Sequence, residues 1–232
     1  GYAVKGSVRD LSDPKKVDHV KKHAETLGVA ERLHLVEGDV LEADGWAEQM
    51  DGCDALFHTA TVYSTSGDAT VIIDTANKGT QHLFTAANEC GIKRIVYTSS
   101  IAAVGSMPKG REKNEDDWQT DRSSPYTIAK TESERLAWDL AKQLDLDLRV
   151  INPSGVLGGG FVKPTPSVEW FDDAMKGLFP AAPKIPMAFV HVIDVAIAHR
   201  KAYEIDEAQG RFILAPHNNT TIAAVCRRIR EL

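Results

Sequence analysis

At 232 residues, with 43% hydrophobic and 26% charged residues, the chain has room for one large α/β domain or two small ones and the balance of an ordinary globular protein. A formal charge of −6 argues against non-specific nucleic-acid binding but leaves room for a local cationic pocket. No apolar run approaches the ~18 residues of a membrane span, no signal-peptide pattern opens the chain, and Cys53, Cys90 and Cys226 are too few and too scattered for a disulfide or zinc framework, which points to reduced thiols in a cytoplasmic protein.

The elements alternate along the chain. Tyr2–Val8 reads as a strand. Asp13-Pro14 then opens a helix, with Val17, Val20, Ala24 and Leu27 at helical spacing and Gly28 as its stop. Leu33–Val36 is a strand, 46–50 a short helix, Ala55–His58 a strand, and 69–89 a long helix ended by Gly91. Arg94–Thr98 is a β-branched strand running into Ser99-Ser100. The charged, aperiodic stretch Lys109–Ser123 reads as a loop. Pro125–Leu144 is a long helix and Leu148–Ile151 a strand. Residues 157–186 are rich in Gly and Pro, with one short helix near Val168–Lys176. Phe189–Val190 is a short strand, 192–204 a helix, Arg211–Ala215 a last strand and Thr220–Arg230 a last helix. Strands of four to six residues, apolar around Ile95 and Leu148, alternate with longer helices. The pattern predicts a doubly wound, mostly parallel Rossmann-like α/β sheet. The reading is one nucleotide-binding domain over 1–232, with small substrate-binding segments at about 157–188 and 211–232.

In such sheets ligands bind beyond the carboxyl ends of the strands. The residues there are Arg9, Asp39, Thr59–Thr61, Ser99-Ser100 and Pro153–Val156. An Arg at the end of a strand that reads the adenosine ribose accommodates a 2′-phosphate, so Arg9 with Lys16 favours NADP over NAD; the neighbouring Asp10 pulls the other way. Asp39 has the chemistry to accept from an adenine amino group, or simply to form a turn after Gly38. Ser100 is placed to donate to a substrate carbonyl oxygen, where charge develops on reduction, and Ser99 competes for that role. His58, His191 and His199 lack partners at ligand spacing, so no metal site is expected. The run Gly155–Gly160 imitates a phosphate loop, but Phe161-Val-Lys-Pro follows it instead of a helix start.

Tyr126 and Lys130 open the helix after Ser123-Ser124-Pro125. Four residues apart, they share one helical face. A phenol is too weak an acid for proton transfer near neutral pH, and a fixed cation beside it favours the phenolate. The pair therefore has the makings of a general acid/base.

Together these stretches resemble the extended short-chain dehydrogenase/reductase family, within the NAD-dependent epimerase/dehydratase superfamily, and most of all its dihydroflavonol reductase and cinnamoyl-CoA reductase group. Val8-Arg9-Asp10 with Lys15-Lys16-Val17 is similar to that group's NADP-phosphate segment. Gly38-Asp39-Val40 resembles its adenine-contacting pair, and Phe57-His58-Thr59-Ala60-Thr61 its loop over the cofactor. Tyr97-Thr98-Ser99-Ser100 resembles its catalytic-serine strand, whose second Ser is the functional one. Asn114–Trp118 resembles its acidic-Trp loop. Tyr126–Lys130 matches Y-x-x-x-K, and Phe189–Ala196 resembles the start of a family helix. Pro153, Ser154, Gly155, Val156 and Ser167 fall where relatives contact the nicotinamide half. The resemblance implies NADPH-dependent reduction of a carbonyl in an aldehyde, ketone, dihydroflavonol-like or acyl-CoA substrate. Tyr126 would protonate the forming alkoxide, Lys130 would hold the nicotinamide ribose, and Ser100 would orient the carbonyl oxygen.

Two departures accompany it. The family's first strand and glycine-rich pyrophosphate loop are expected just before Gly1, a span of roughly 25 residues for strand, loop and helix; without them a central strand slot is left open. Gly105 stands where flavonoid reductases often carry a substrate-binding Asn, which disfavours a dihydroflavonol. Competing readings on the same fold are a nucleotide-sugar epimerase or dehydratase and a 3β-hydroxysteroid dehydrogenase. A different class is a non-catalytic NADP-binding or truncated, inactive protein, against which the presence of both Tyr126 and Lys130 counts. The expected partner is a small carbonyl substrate, with no nucleic acid and no membrane. The helices 69–89 and 125–144 are candidates for pairing two copies into a homodimer.

Overall fold

A computed structural model describes residues 1–60, 69–105, 111–159, 166–178, 184, 186–216 and 220–231. β1 (Val4–Val8) leads to α1 (Pro14–Thr26), whose start is fixed by the Asp13 carboxylate accepting from the Lys15 amide and by Pro14 in the first turn. β2 (Leu33–Glu37) is followed by α2 (Trp46–Met50), β3 (Ala55–His58) and α3 (Ala69–Glu89). Gly91, at φ +72°, makes the left-handed turn that ends α3. Then come β4 (Arg94–Thr98), α4 (Pro125–Gln143), β5 (Asp147–Pro153), β6 (Gly155–Leu157), α5 (Pro166–Met175), β7 (Pro186–Met187), β8 (Phe189–His191), α6 (Val192–Glu204), β9 (Gly210–Leu214), β10 (Thr220–Thr221) and α7 (Ile222–Arg230).

The main ladder runs β3-β4-β5-β9, all parallel, in a register that sets His58 beside Tyr97, Tyr97 beside Val150 and Val150 beside Arg211. β1 and β2 form a second parallel ladder. The two are not hydrogen-bonded to each other among the described residues. They face one another all the same: the Lys5 ammonium on β1 donates to the Asp51 carbonyl just before β3, and Tyr2 and Phe57 both lie against the Tyr203 ring. Among the described residues no strand bridges β1 and β3.

Side-chain alternation divides the core. Ile95, Tyr97, Leu148 and Val150 pack with Phe84 and Leu83 of α3 and Ala137 and Ala141 of α4. Val96 and Ile151 face the other way, onto Ala202 of α6. Gly79 lets α3 approach the chain after β2, since a Cβ there would lie 3.1 Å from Val40.

Three features depart from the sequence reading. β5 is longer than expected and is not wholly apolar. Its Arg149 is fully buried and donates to the carbonyls of Ala202, Ile205 and Asp206, closing the C-terminal end of α6 with a cation. The glycine-rich run after Pro153 contains β6, which pairs in parallel with β8; the Phe189 ring presses on Gly155, where a Cβ would sit 2.8 Å from it. The pair β7-β10 is antiparallel and two residues long, too short for any periodicity to announce it.

Candidate active site

The parallel register carries the ends of β3, β4 and β5 to one edge of the sheet. α4 approaches that edge with its N-terminus. Ser124 supplies the extended residue before the helix, Pro125 the first turn and Tyr126 the next position, half-buried. One turn further on, Lys130 is only 4% exposed. Its ammonium donates to the Thr98 carbonyl at 3.3 Å, so α4 is pinned to the last residue of β4, two positions before Ser100. Burial pulls the Lys130 ammonium down to about 8, and the Glu134 carboxylate works in the opposite direction. α4 also packs against the short 3-10 turn Ile101–Ala103 that Ser100 caps.

The two serines part company here. Ser99 is buried and spends its hydroxyl proton on the Glu134 carboxylate, at 2.5 Å. Ser100 is half-buried and its Oγ accepts from the Ala102 amide at 3.1 Å, which leaves its own proton for a further acceptor.

The sequence-predicted cofactor residues occupy varied surroundings. Arg9 is exposed at the end of β1 with no hydrogen bond or ion pair recorded among the described residues. Lys16 lies 3.7 Å from Asp10 and 3.6 Å from Asp13, so its charge is shared. Asp10 itself is turned to Ser12, whose hydroxyl and amide hold the carboxylate below its ordinary range. Asp39 accepts from the Leu41 amide, the turn-forming role, and the Val40 carbonyl contacts the His82 ring at 2.9 Å. Thr59 and Ala60 are exposed at the end of β3; Thr61 lies outside the described residues. Pro153 and Ser154 are buried, while Gly155 and Val156 are partly open in β6. Ser167 falls in the first turn of α5, its side chain outside the described residues. The chemistry on hand suits the two ends of a dinucleotide: an unpaired guanidinium for a phosphate at β1, and hydroxyl, phenol and ammonium at β4 and α4.

Two of the three histidines that suggest a metal have hydrogen-bonding partners instead. His191 caps α6 by accepting from the Ile193 amide. His199 contacts the Val195 carbonyl at 2.8 Å and the Thr98 hydroxyl at 2.7 Å, and burial lowers its pKa. His58 is buried edge-on to Tyr97, with ring centroids 5.1 Å apart, and burial with the nearby Lys130 charge brings it down to about 3. It is a neutral ring at the floor of the site. Among the described residues no group of three or more His, Cys, Asp or Glu is arranged to hold a metal ion, and no helix is long and apolar enough to cross a membrane.

Sequence reasoning passed over Glu134, Asn152 and Arg211. The Asn152 amide donates both to Glu134, at 2.8 Å, and to the Ser100 carbonyl, at 3.2 Å. Glu134 was findable: Tyr126, Lys130 and Glu134 recur at i, i+4 and i+8, on a face otherwise filled by Ala129, Ser133, Ala137 and Ala141.

Residues 8–214 match the model of the NAD dependent epimerase/dehydratase family. Cinnamoyl-CoA reductase CAD2 of Medicago truncatula is 36% identical, across all of this chain and 74% of its own length. Cinnamoyl-CoA reductase 1 of Arabidopsis thaliana is 34% identical, across 93% of this chain, which spans only 63% of that relative. Among solved structures, Gre2 of Candida albicans in complex with NADPH superposes on all of this chain and 75% of its own, with a TM-score of 0.81 and 23% identity.

Proposed function

The chain belongs to the NAD dependent epimerase/dehydratase family, and on that premise we propose that it reduces a carbonyl group with NADPH, using Tyr126 as proton donor, Lys130 as the cation beside it and Ser100 as the donor to the carbonyl oxygen. The observation that carries the proposal is the burial of Lys130 at the sheet edge, tied to Thr98 at 3.3 Å and one helical turn from Tyr126. A buried ammonium is costly to the fold, and strongly perturbed groups of this kind cluster at functional sites.

NADPH, when bound, supplies a hydride to the carbonyl carbon. The remaining chemistry falls to the chain. The Ser100 proton, not engaged by Ala102, orients the carbonyl oxygen and offsets the charge that grows on it. Tyr126 delivers its phenolic proton to that oxygen, so an aldehyde or ketone with hydride and proton becomes the alcohol, whereas a thioester would become a hemithioacetal that releases the CoA thiol and leaves the aldehyde. Lys130 favours the resulting phenolate until solvent returns the proton. At the other end of the site, Arg9 has no carboxylate partner among the described residues and suits a 2′-phosphate better than Lys16, which Asp10 and Asp13 already engage. The relatives' names favour an aromatic acyl-CoA thioester or the corresponding aldehyde over a dihydroflavonol, in line with Gly105.

The test is a panel of aromatic aldehydes, ketones, acyl-CoA thioesters and dihydroflavonols, each with NADPH and with NADH, following loss of the reduced nicotinamide absorbance. Turnover with NADPH on a thioester or aldehyde is expected. Turnover with NADH alone, or exchange of a sugar hydroxyl's configuration without net reduction, would overturn it.

A further inference from the structure

We propose that Glu134, paired with Arg211, is a positioning residue that sets Ser100 in register with Tyr126 and Lys130; the inference rests on the reductase reading of that site. The Glu134 carboxylate is fully buried. One oxygen accepts from the Ser99 hydroxyl at 2.5 Å and from the Asn152 amide at 2.8 Å; the other accepts from Arg211 Nε at 2.6 Å. Asn152 passes the hold on to the Ser100 carbonyl, and Lys130, one turn away, takes the Thr98 carbonyl. Three successive residues at the exit of β4 are thus gripped from α4, directly or through Asn152.

Arg211 anchors the clamp from its far side. It sits at the start of β9, 9% exposed, donates Nη1 to the carbonyls of Glu115 and Asp117, and stacks its guanidinium 4.1 Å from the Trp118 ring. The loop around Glu115–Trp118 in turn meets the serine segment, since the Gln119 amide donates to the Ala103 carbonyl at 2.9 Å. An ion pair this deeply buried is a poor device for stability alone: hydrophobic residues of similar size serve a fold as well or better. What apolar side chains do not supply is direction. The fixed oxygens of Glu134 decide which way Ser99 and Asn152 point, and so where the Ser100 backbone lies. A displacement of about 1 Å remote from the reacting atoms can cost on the order of a hundredfold in rate.

The experiment compares the wild-type chain with Glu134→Met/Arg211→Met, which removes both charges together, and with Asn152→Ala, which cuts the tie to Ser100 and leaves the ion pair. Three quantities are read: the melting temperature, backbone hydrogen exchange over 99–104, and kcat and KM with NADPH and the best carbonyl of the panel. Both variants are expected to stay folded, to exchange at least about tenfold faster at Ala102 and Ala103, and to lose roughly ten- to hundredfold in kcat with KM changed less than about threefold. If the double variant fails to fold, Asn152→Ala carries the comparison. Wild-type exchange over 99–104, or a kcat that follows the melting temperature back to the wild-type value, overturns the positioning role. The reductase reading fails separately, through wild-type protein that turns over no carbonyl or through Tyr126→Phe that keeps its activity; the exchange arm then decides the clamp by itself.

Discussion

Replacing Lys130 by Met should make the protein inactive and more stable at pH 7. The Lys130 ammonium stands at about 8, against an ordinary 10.5, because burial disfavours its charge. That gap corresponds to about 3 kcal/mol by which the charged lysine weakens the fold wherever both states are protonated. Met fills nearly the same volume without a charge, at the loss of the hydrogen bond to Thr98, worth ~1 kcal/mol. The net gain is about 2 kcal/mol, or roughly 4–8 °C in melting temperature for a chain of this size. The sign with pH follows from proton binding. Between the folded value near 8 and the unfolded value of 10.5, the unfolded chain binds more protons than the folded one, so the wild type gains stability as pH rises through that window. The Met variant lacks this gain, and the two should converge toward pH 10. Urea unfolding at pH 7 and pH 9.5 measures both. A variant less stable than wild type at pH 7, or a difference that does not change with pH, would refute the reasoning.

Tyr126→Phe should lower turnover by about 10²- to 10⁴-fold, the range of a lost general acid, while KM for NADPH stays near its wild-type value; retained activity would remove the phenol from the mechanism. Arg9→Ala should weaken NADPH binding by roughly ten- to a hundredfold, the worth of a charge-assisted hydrogen bond, and leave NADH binding unchanged, as read by titration calorimetry. His58 is held neutral with a pKa near 3, so the unfolded chain binds the extra proton below 6.5 and stability falls as the pH drops through that window. At pH 5 His58 accounts for about 2 kcal/mol of loss, which His58→Leu should remove from a comparison of urea midpoints at pH 7 and pH 5. A variant as acid-sensitive as wild type would shift the cause elsewhere, with His199 the next group to examine.

The elements with local causes were legible in the sequence. α1 is bracketed by Asp13-Pro14 and a left-handed Gly28, and β3, β4 and α6 are bounded by turn residues or caps that act within a few positions. The candidate site was legible to the extent that its proposed residues lie on those elements: Ser100, Tyr126 and Lys130 sit at a strand end and a helix start. What escaped depends on distant partners. Arg149 looks like a flaw in an apolar strand until α6 brings three carbonyls to it. β6 needs β8, more than thirty residues later, to become a strand. Glu134 acquires its meaning from Arg211 on β9 and Ser99 on β4, neither of which any local pattern connects to it.

The burial of Arg149 has a consequence for α6. Its guanidinium supplies donors to three carbonyls at the end of that helix, groups a helix end otherwise leaves to water. One side chain of β5 thus fastens the last turn of α6 to the sheet, and whatever loosens β5 loosens α6 with it.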